Sequence, residues 1–135
     1  MSQKFTVLFD LDGTLVDTAP DLMLAHNHVM KKFGYEEREL SNIKKLAGGG
    51  SKAMLRKSMH EIAELSGKIK KTDEEMEEKM TKEFINFYSD NINKESKLIT
   101  GALEFLNWCK NNSISMAVCT NKQEHLSIDL LKKIK

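Results

Sequence analysis

The decisive stretch of this chain reads Phe9-Asp10-Leu11-Asp12-Gly13-Thr14-Leu15-Val16-Asp17-Thr18. It continues the apolar run Phe5–Phe9, and an apolar run that ends in a glycine turn predicts a buried parallel strand. Residues two apart on an extended chain point the same way, so Asp10 and Asp12 are expected to converge at the carboxyl end of this strand. Ligands bind at that end in open α/β sheets. Adjacent carboxylates repel each other unless a cation or a proton lies between them, and hard oxygen ligands favour Mg²⁺.

The same stretch resembles the first motif of the haloacid dehalogenase-like hydrolases, in particular that of the phosphoglycolate phosphatase group. The resemblance implies that Asp10 is a nucleophile that forms an aspartyl-phosphate, and that Asp12 is a general acid/base. It also implies a Mg²⁺ cofactor held by the Asp10 side chain and the Asp12 backbone carbonyl. The alternative interpretation is an ordinary Asx turn at a strand end, since Asp and Gly are common turn residues.

A second motif follows a second apolar run. Ile114–Cys119 predicts another buried strand, and Thr120-Asn121-Lys122 comes directly after it. A hydroxyl at the end of a neighbouring parallel strand can donate to a phosphoryl oxygen, and the amides of the next helix add an anion site. By the resemblance, Thr120 is the phosphate-binding hydroxyl. Lys122 either contacts the substrate or caps the turn. The other predicted phosphate or substrate contacts are Asn121, Leu11, Gly13, Thr14, Gly49 and Lys52.

The region between the two motifs is predicted to be helical. A first helix starts at Thr18 with Asp21 as a capping-box acid and stops at Gly34, and a short one covers residues 41–46. A third helix starts near Ser51, and Thr72 with Glu75 opens a fourth. The predicted inward faces are Leu22, Ala25, His26, Val29 and Phe33; Met54, Leu55, Ser58, Met59 and Ile62; and Met76, Met80, Phe84, Phe87 and Tyr88.

The pattern changes near Lys94. A helix is predicted over residues 101–111 with Leu103, Leu106 and Cys109 inward, then the second strand, then a helix over residues 124–133. The fold class is therefore α/β: a partial Rossmann-like core of the haloacid dehalogenase type, with two parallel strands present. Residues 1–18 and 95–135 form this core, which is incomplete relative to the family, and residues 19–94 form an inserted all-helical cap.

The glycine loop Gly48–Ser51 lacks the lysine-and-hydroxyl ending of a phosphate-binding P-loop, so a nucleotide site is not expected. The resemblance implies a cap loop that lies over the active site and helps to select the substrate. A flexible connector is the alternative. If the loop faces the site, Lys52 and Arg56 are candidates for binding a substrate carboxylate, since arginine binds carboxylates in bidentate fashion.

Composition excludes several other classes. The 135 residues include 30% charged and 40% apolar residues with a net charge of +1, so a packed core is expected and neither nucleic acid nor a membrane is an expected partner. No apolar run approaches the roughly 20 residues of a membrane span. The first residues predict no signal peptide. We therefore expect a cytoplasmic protein, with Cys109 and Cys119 as reduced, mostly buried thiols.

The predicted function is a Mg²⁺-dependent phosphatase (a phosphoric monoester hydrolase) of small phosphorylated metabolites, with 2-phosphoglycolate as the expected substrate. The resemblance implies further strand–helix units that bring a charge-neutralising lysine and an acidic pair, and no acidic pair at a strand end follows Thr120 here. One alternative is therefore an inactive remnant or subunit, whose exposed sheet edges pair with a second copy or with a complementing chain. A phosphosugar mutase of the same superfamily is the other alternative, because it shares the first motif.

Overall fold

The computed structural model describes residues 4–66 and 73–134. Their architecture is mixed α/β and mostly helical, with a small parallel sheet, which confirms the predicted fold class. The elements in chain order are β1 (Thr6–Phe9), β2 (Val16–Asp17), α1 (Ala19–Lys32), α2 (Leu40–Leu46), α3 (Ser51–Ser66), α4 (Glu74–Asp90), β3 (Lys97–Leu98), α5 (Ala102–Asn111), β4 (Ser115–Val118) and α6 (Glu124–Lys133).

The main sheet consists of β1 and β4, which run parallel. Thr6 lies opposite Ser115, and Phe9 lies opposite Val118. The amide of Cys119 donates to the carbonyl of Phe9 at 2.7 Å, so the pairing continues beyond the last residue of each strand. Because the strands are parallel and in this register, the residues that follow them leave the sheet at the same edge.

A second, antiparallel pair joins β2 to β3, with Val16 opposite Leu98. The sequence analysis did not predict this pair, because two-residue strands leave no periodic pattern. A tight loop leads into it, in which the Leu11 carbonyl accepts the amides of the residues at positions 14, 15 and 16 at 3.1–3.2 Å. Gly13 has φ +77°, a left-handed conformation that favours glycine. The loop brings the chain from the sheet edge back towards the start of α1.

The helices α1 to α4 pack against one another and hold most of the buried apolar residues. The expected inward faces of α1 and α3 are largely confirmed, and α6 has the predicted bounds. On α4 the expectation for Met76 is wrong, since 38% of this residue is exposed and Glu77 is buried instead. Glu77 turns inward because it accepts a charge-assisted hydrogen bond from Arg56 on α3, at 2.6 Å.

Burial of the two main strands was predicted and is wrong for most of their residues. Phe5 and Leu8 are 63% and 66% exposed, and every residue of β4 is exposed, whereas Phe9 is buried. Each of these strands has a single partner strand among the described residues, so much of the sheet surface has nothing packed on it. Likewise Leu103 of α5 and the thiol-bearing Cys119 are exposed, against expectation, while Cys109 is buried.

The start of α1 differs from the predicted capping box. Thr18 donates its hydroxyl hydrogen to Asp12 instead of capping the helix, and Asp17 accepts from the amide of Ala19 at 3.3 Å. Asp21 is buried and accepts from the amides of Glu95 and Ser96 and from the Ser96 hydroxyl. Three donors from the segment before β3 outcompete the local cap, because a buried carboxylate needs several partners. Asp21 therefore joins α1 to the returning chain.

The long helix α4 has its N-cap at Asp73, whose side chain accepts from the amide of Glu75 at 3.2 Å. The predicted capping residue Thr72 lies outside the described residues. No helix within residues 4–66 and 73–134 is long and apolar enough to cross a membrane. The division into a core of residues 1–18 and 95–135 and a cap of residues 19–94 stays a prediction, and "cap" below denotes residues 19–94.

Candidate active site

Asp10 and Asp12 lie at the carboxyl edge of the main sheet and line one cavity. Asp10 is exposed, and its Oδ1 accepts from the amide of Leu11 at 2.7 Å. Oδ1 of Asp12 accepts from the Thr18 hydroxyl at 2.7 Å and lies 3.1 Å from Nζ of Lys122. Oδ2 of each aspartate has no hydrogen-bond partner among the described residues. Each carboxylate is therefore held through Oδ1, and its Oδ2 is available to a ligand.

Lys122 connects this edge to the cap. Its side chain is only 4% exposed, and Nζ donates to the hydroxyl of Tyr88 on α4 at 2.9 Å as well as contacting Asp12. The ammonium also lies 4.3 Å from the centre of the Tyr88 ring. Burial lowers the pKa of Lys122, and the carboxylate of Asp12 acts in the opposite direction. The predicted site lysine is therefore a buried cation with an acidic partner.

Thr120 and Asn121 follow β4 and line the same cavity. The Thr120 oxygen accepts from the amide of Lys122 at 3.2 Å, and no described residue accepts the hydrogen of its hydroxyl. Asn121 donates its amide hydrogen to the carbonyl of Gly48 at 2.9 Å. The glycine loop of the cap therefore closes directly onto the second motif. At Gly50, which has φ +83°, an added Cβ would lie 3.7 Å from the Asn121 carbonyl oxygen.

The cavity between the sheet edge and the cap is small, about 60 Å³. The residues that line it are Asp10, Asp12, Leu22, Ala47, Gly48, Gly50, Ser51, Met54, Phe84, Tyr88, Thr120, Asn121, Lys122, Gln123 and Leu126. The volume is well below the few hundred Å³ of an ordinary ligand pocket, so this conformation suits a ligand of few atoms.

Other residues predicted for the site lie elsewhere. Gly13 lines an adjoining cleft, and Lys52 lines a separate shallow depression on the cap. Gly49 and Thr14 do not line the cavity in the described part of the chain. Arg56, a candidate for a substrate carboxylate, pairs with Glu77 instead. Lys52 and Arg56 do not reach the cavity because both side chains extend from a face of α3 that points away from the carboxyl end of the main sheet.

The donor set at the sheet edge is compatible with Mg²⁺. Among residues 4–66 and 73–134 no group of three or more His, Cys, Asp or Glu side chains converges on one point. Mg²⁺, however, keeps several waters and is often bound through one or two carboxylates plus a substrate phosphate. The carboxylate of Asp10 at a solvent-accessible edge fits such a ligand set, and the Asp12 carbonyl is the second ligand that the resemblance implies.

These features define a class of protein. The family model of the haloacid dehalogenase-like hydrolases matches residues 7–135, and the chain belongs to this family. Among curated relatives, it is 32% identical over 129 residues to phosphoglycolate phosphatase 1 of Pseudomonas aeruginosa, covering 96% of this chain and 46% of the relative. It is 33% identical over 127 residues to the phosphoglycolate phosphatase of Agrobacterium fabrum, with 94% and 52% covered. The chain thus spans about half the length of the curated relatives it matches.

Solved structures show the same fold. A predicted phosphoglycolate phosphatase from Haemophilus somnus superimposes with a TM-score of 0.87 at 25% identity, covering 99% of this chain and 59% of the other. A β-phosphoglucomutase from Clostridium difficile gives a TM-score of 0.72 at 23% identity, with 97% and 56% covered. Both the phosphatase and the mutase alternatives are therefore compatible with this fold.

Among the described residues that line the cavity, Tyr88 is the one polar residue that the sequence analysis assigned to the core. A usable signal existed in the sequence, since a tyrosine on a buried helical face among Met and Phe brings a hydroxyl that needs a partner. The partner, Lys122, lies 34 residues further along the chain. No local pattern relates two residues at that separation.

Proposed function

We propose that this chain carries the nucleophile, the acid/base and the phosphate-binding hydroxyl of a phosphatase of small phosphorylated metabolites. The observation that carries the proposal is the convergence of Asp10, Asp12 and Thr120 on one small cavity at the carboxyl edge of a parallel sheet. Relatives at 30% identity or more bear the name phosphoglycolate phosphatase, which makes 2-phosphoglycolate the preferred substrate. The names of these curated relatives, together with the Thr-Asn-Lys triplet and the glycine loop, favour the phosphatase over a phosphosugar mutase.

In the proposed reaction, the free oxygen of Asp10 attacks the phosphorus atom in line with the ester oxygen. The P–O bond to the leaving group breaks as the aspartyl-phosphate forms, and Asp12 gives its proton to the leaving oxygen. Asp12 then takes a proton from a water molecule that attacks the same phosphorus atom. This second displacement releases inorganic phosphate and regenerates the Asp10 carboxylate.

The surrounding residues orient these groups. Thr18 and Lys122 hold one oxygen of Asp12, so that its other oxygen faces the reacting atoms. The Thr120 hydroxyl, whose hydrogen has no acceptor among the described residues, donates to a phosphoryl oxygen. Mg²⁺ held by the Asp10 carboxylate and the Asp12 carbonyl would supply positive charge against the phosphoryl oxygens. Positioning and charge of this kind supply most of the catalysis in phosphoryl transfer.

The substitution Asp10→Asn tests the proposal. It keeps the shape of the side chain and removes the nucleophile, so hydrolysis of 2-phosphoglycolate and p-nitrophenyl phosphate in Mg²⁺ buffer should fall at least about 10³-fold, or about 4 kcal/mol of barrier. Asp129→Asn on the outer side of α6 is the matched control and should keep the wild-type rate. Phosphate release that is equal in the wild type and in Asp10→Asn would refute the phosphatase.

A second proposal concerns partners. We propose that the exposed face and edges of the main sheet pair with another polypeptide, either a second copy or a complementing chain. The large exposed fractions of Phe5 and Leu8 favour it, because soluble proteins seldom leave such strands uncovered. Light scattering should show a mass above that of one chain, and Leu8→Lys should reduce it. A monomer at every concentration would exclude pairing with a second copy.

A further inference from the structure

Tyr88 reaches the active-site cavity from the cap. It lies near the end of α4, is 1% exposed and forms part of the cavity wall. Eight cap residues line the cavity, and only Ser51 and Tyr88 among them have polar side chains. A cap that selects substrates needs polar groups at the cavity, and Tyr88 is the more deeply buried of the two.

The hydrogen bonds of Tyr88 and Lys122 leave donors unused. The phenol oxygen of Tyr88 accepts from Nζ of Lys122 at 2.9 Å, but no described residue accepts the phenol hydrogen. Burial raises the pKa of Tyr88 well above its usual range, so the phenol keeps that hydrogen. An ammonium carries three hydrogens, and the contacts of Lys122 to Asp12 and Tyr88 account for two of them.

Part of the wall around these donors is apolar. Leu22, Met54 and Phe84 line the same cavity, and the rings of Phe84 and Tyr88 stack with centroids 5.9 Å apart. A donor that faces an apolar wall without an acceptor is unfavourable, whereas a ligand oxygen that accepts it restores the lost hydrogen bond. Tyr88 and Lys122 present mainly hydrogen-bond donors to a ligand. The one acceptor site left on this pair is the second lone pair of the phenol oxygen. The complementary group is an anionic oxygen.

We propose that Tyr88 is a specificity-determining residue whose hydroxyl, with the third N–H of Lys122, binds a carboxylate at the end of the substrate remote from the phosphoryl group. This inference rests on the proposed phosphatase function and adds to it the group that reads the rest of the substrate. A carboxylate is the favoured acceptor because hydrogen bonds to an ionised oxygen are roughly twice as strong as neutral ones. The small cavity limits the distance between carboxylate and phosphate to a few atoms.

Binding measured without turnover tests the proposal. In an Asp10→Asn background with Mg²⁺, calorimetry compares 2-phosphoglycolate with ethyl phosphate, which has a methyl group in place of the carboxylate. We expect the carboxylate-bearing ester to bind about tenfold more tightly, the size of one good charge-assisted hydrogen bond. Tyr88→Phe retains the ring and should reduce this preference, because the phenol donor is lost while the N–H of Lys122 remains. Tyr35→Phe, which removes a hydroxyl from a partly buried tyrosine outside the cavity, should keep the preference.

The outcomes separate this inference from the phosphatase proposal. A reduced preference in Tyr88→Phe alone supports the role of Tyr88. Equal weakening of both esters, the full wild-type preference in Tyr88→Phe, or no binding of either ester would overturn it. The phosphatase proposal fails on a different observation, namely the absence of Asp10-dependent turnover in the chain that retains Asp10. Unfolding temperatures of the variants check that each one is folded.

Discussion

The helical cap and the two-stranded main sheet differ sharply in how they bury apolar residues. In the cap, Leu55 and Met80 are 1% and 0% exposed, and α1, α3 and α4 pack against one another. In the sheet, Leu8 is 66% exposed and the whole of β4 faces solvent. The cap therefore has an interior of its own, whereas the sheet is ordered mainly by backbone pairing and by its contacts with other elements. The proposed active site nevertheless lies at the carboxyl end of this poorly covered sheet.

Three polar contacts join the cap to other parts of the chain, and two of them lie at the carboxyl end of the main sheet. Asp21 of α1 binds the segment at residues 95–96, Lys122 binds Tyr88, and Asn121 binds the Gly48 carbonyl. Each contact spans more than 30 residues of sequence and links the cap to the chain before or after the main strands. The well-packed cap therefore does more than cover the cavity. Through these contacts it also holds the residues that follow β4, which line the proposed active site.

The most direct way to break this comparison is to truncate one leucine in each region. Leu55→Ala leaves a cavity in the cap interior and should cost about 2–5 kcal/mol of unfolding free energy. At protein concentrations at which the chain is monomeric, Leu8→Ala removes a side chain that is already solvated and should change the free energy by less than about 0.5 kcal/mol. Urea denaturation followed by circular dichroism measures both.

The same pair of variants also reports on sheet pairing. A large loss for Leu8→Ala would show that the sheet is covered in solution, and the comparison between the two regions would then fail. If that loss depends on protein concentration, association is the covering interaction. A loss that is independent of concentration would place a segment of the same chain on the sheet.

A smaller effect sharpens the account of the cap interior. His26 of α1 is fully buried, its Nδ1 contacts Oδ1 of Asn27, and its Nε2 has no hydrogen-bond partner among the described residues. Burial lowers the pKa of His26 from its usual 6.5, outweighing the hydrogen bond to Asn27. Below about pH 6.5 the unfolded chain therefore binds a proton that the folded chain resists, so stability should decrease as the pH falls from 6.5 towards the lowered value.

The measurement is the unfolding temperature at pH 7.5, 6.5 and 5.5. His26→Gln should flatten the decrease at acidic pH, because the variant has no titrating group at this position. His60→Gln is the matched control, since His60 is exposed on α3 and its replacement should keep the wild-type dependence. Identical profiles for the wild type and His26→Gln would contradict the assignment of the pH dependence to this residue.

Local patterns were sufficient for much of the fold. The parallel pairing of β1 and β4, the presence of helices α1 to α4 between them and the bounds of α6 follow from apolar periodicity and from turn residues. The two aspartates and Thr120 were placed at strand ends, and the structure brings them to one cavity. These predictions succeed because strand direction and helix period depend on neighbours along the chain. The catalytic roles of these residues stay proposals.

What the sequence by itself determined is therefore the class of fold, the family and the end of the sheet at which we propose the active site. The tertiary structure alone decided that Tyr88 enters the cavity, that Arg56 pairs with Glu77 and that Asp21 binds the chain near Ser96. It also decided that the strands are exposed. The physical reason is the same in each case, because burial and polar pairing depend on which distant segments meet, and no local period carries that information.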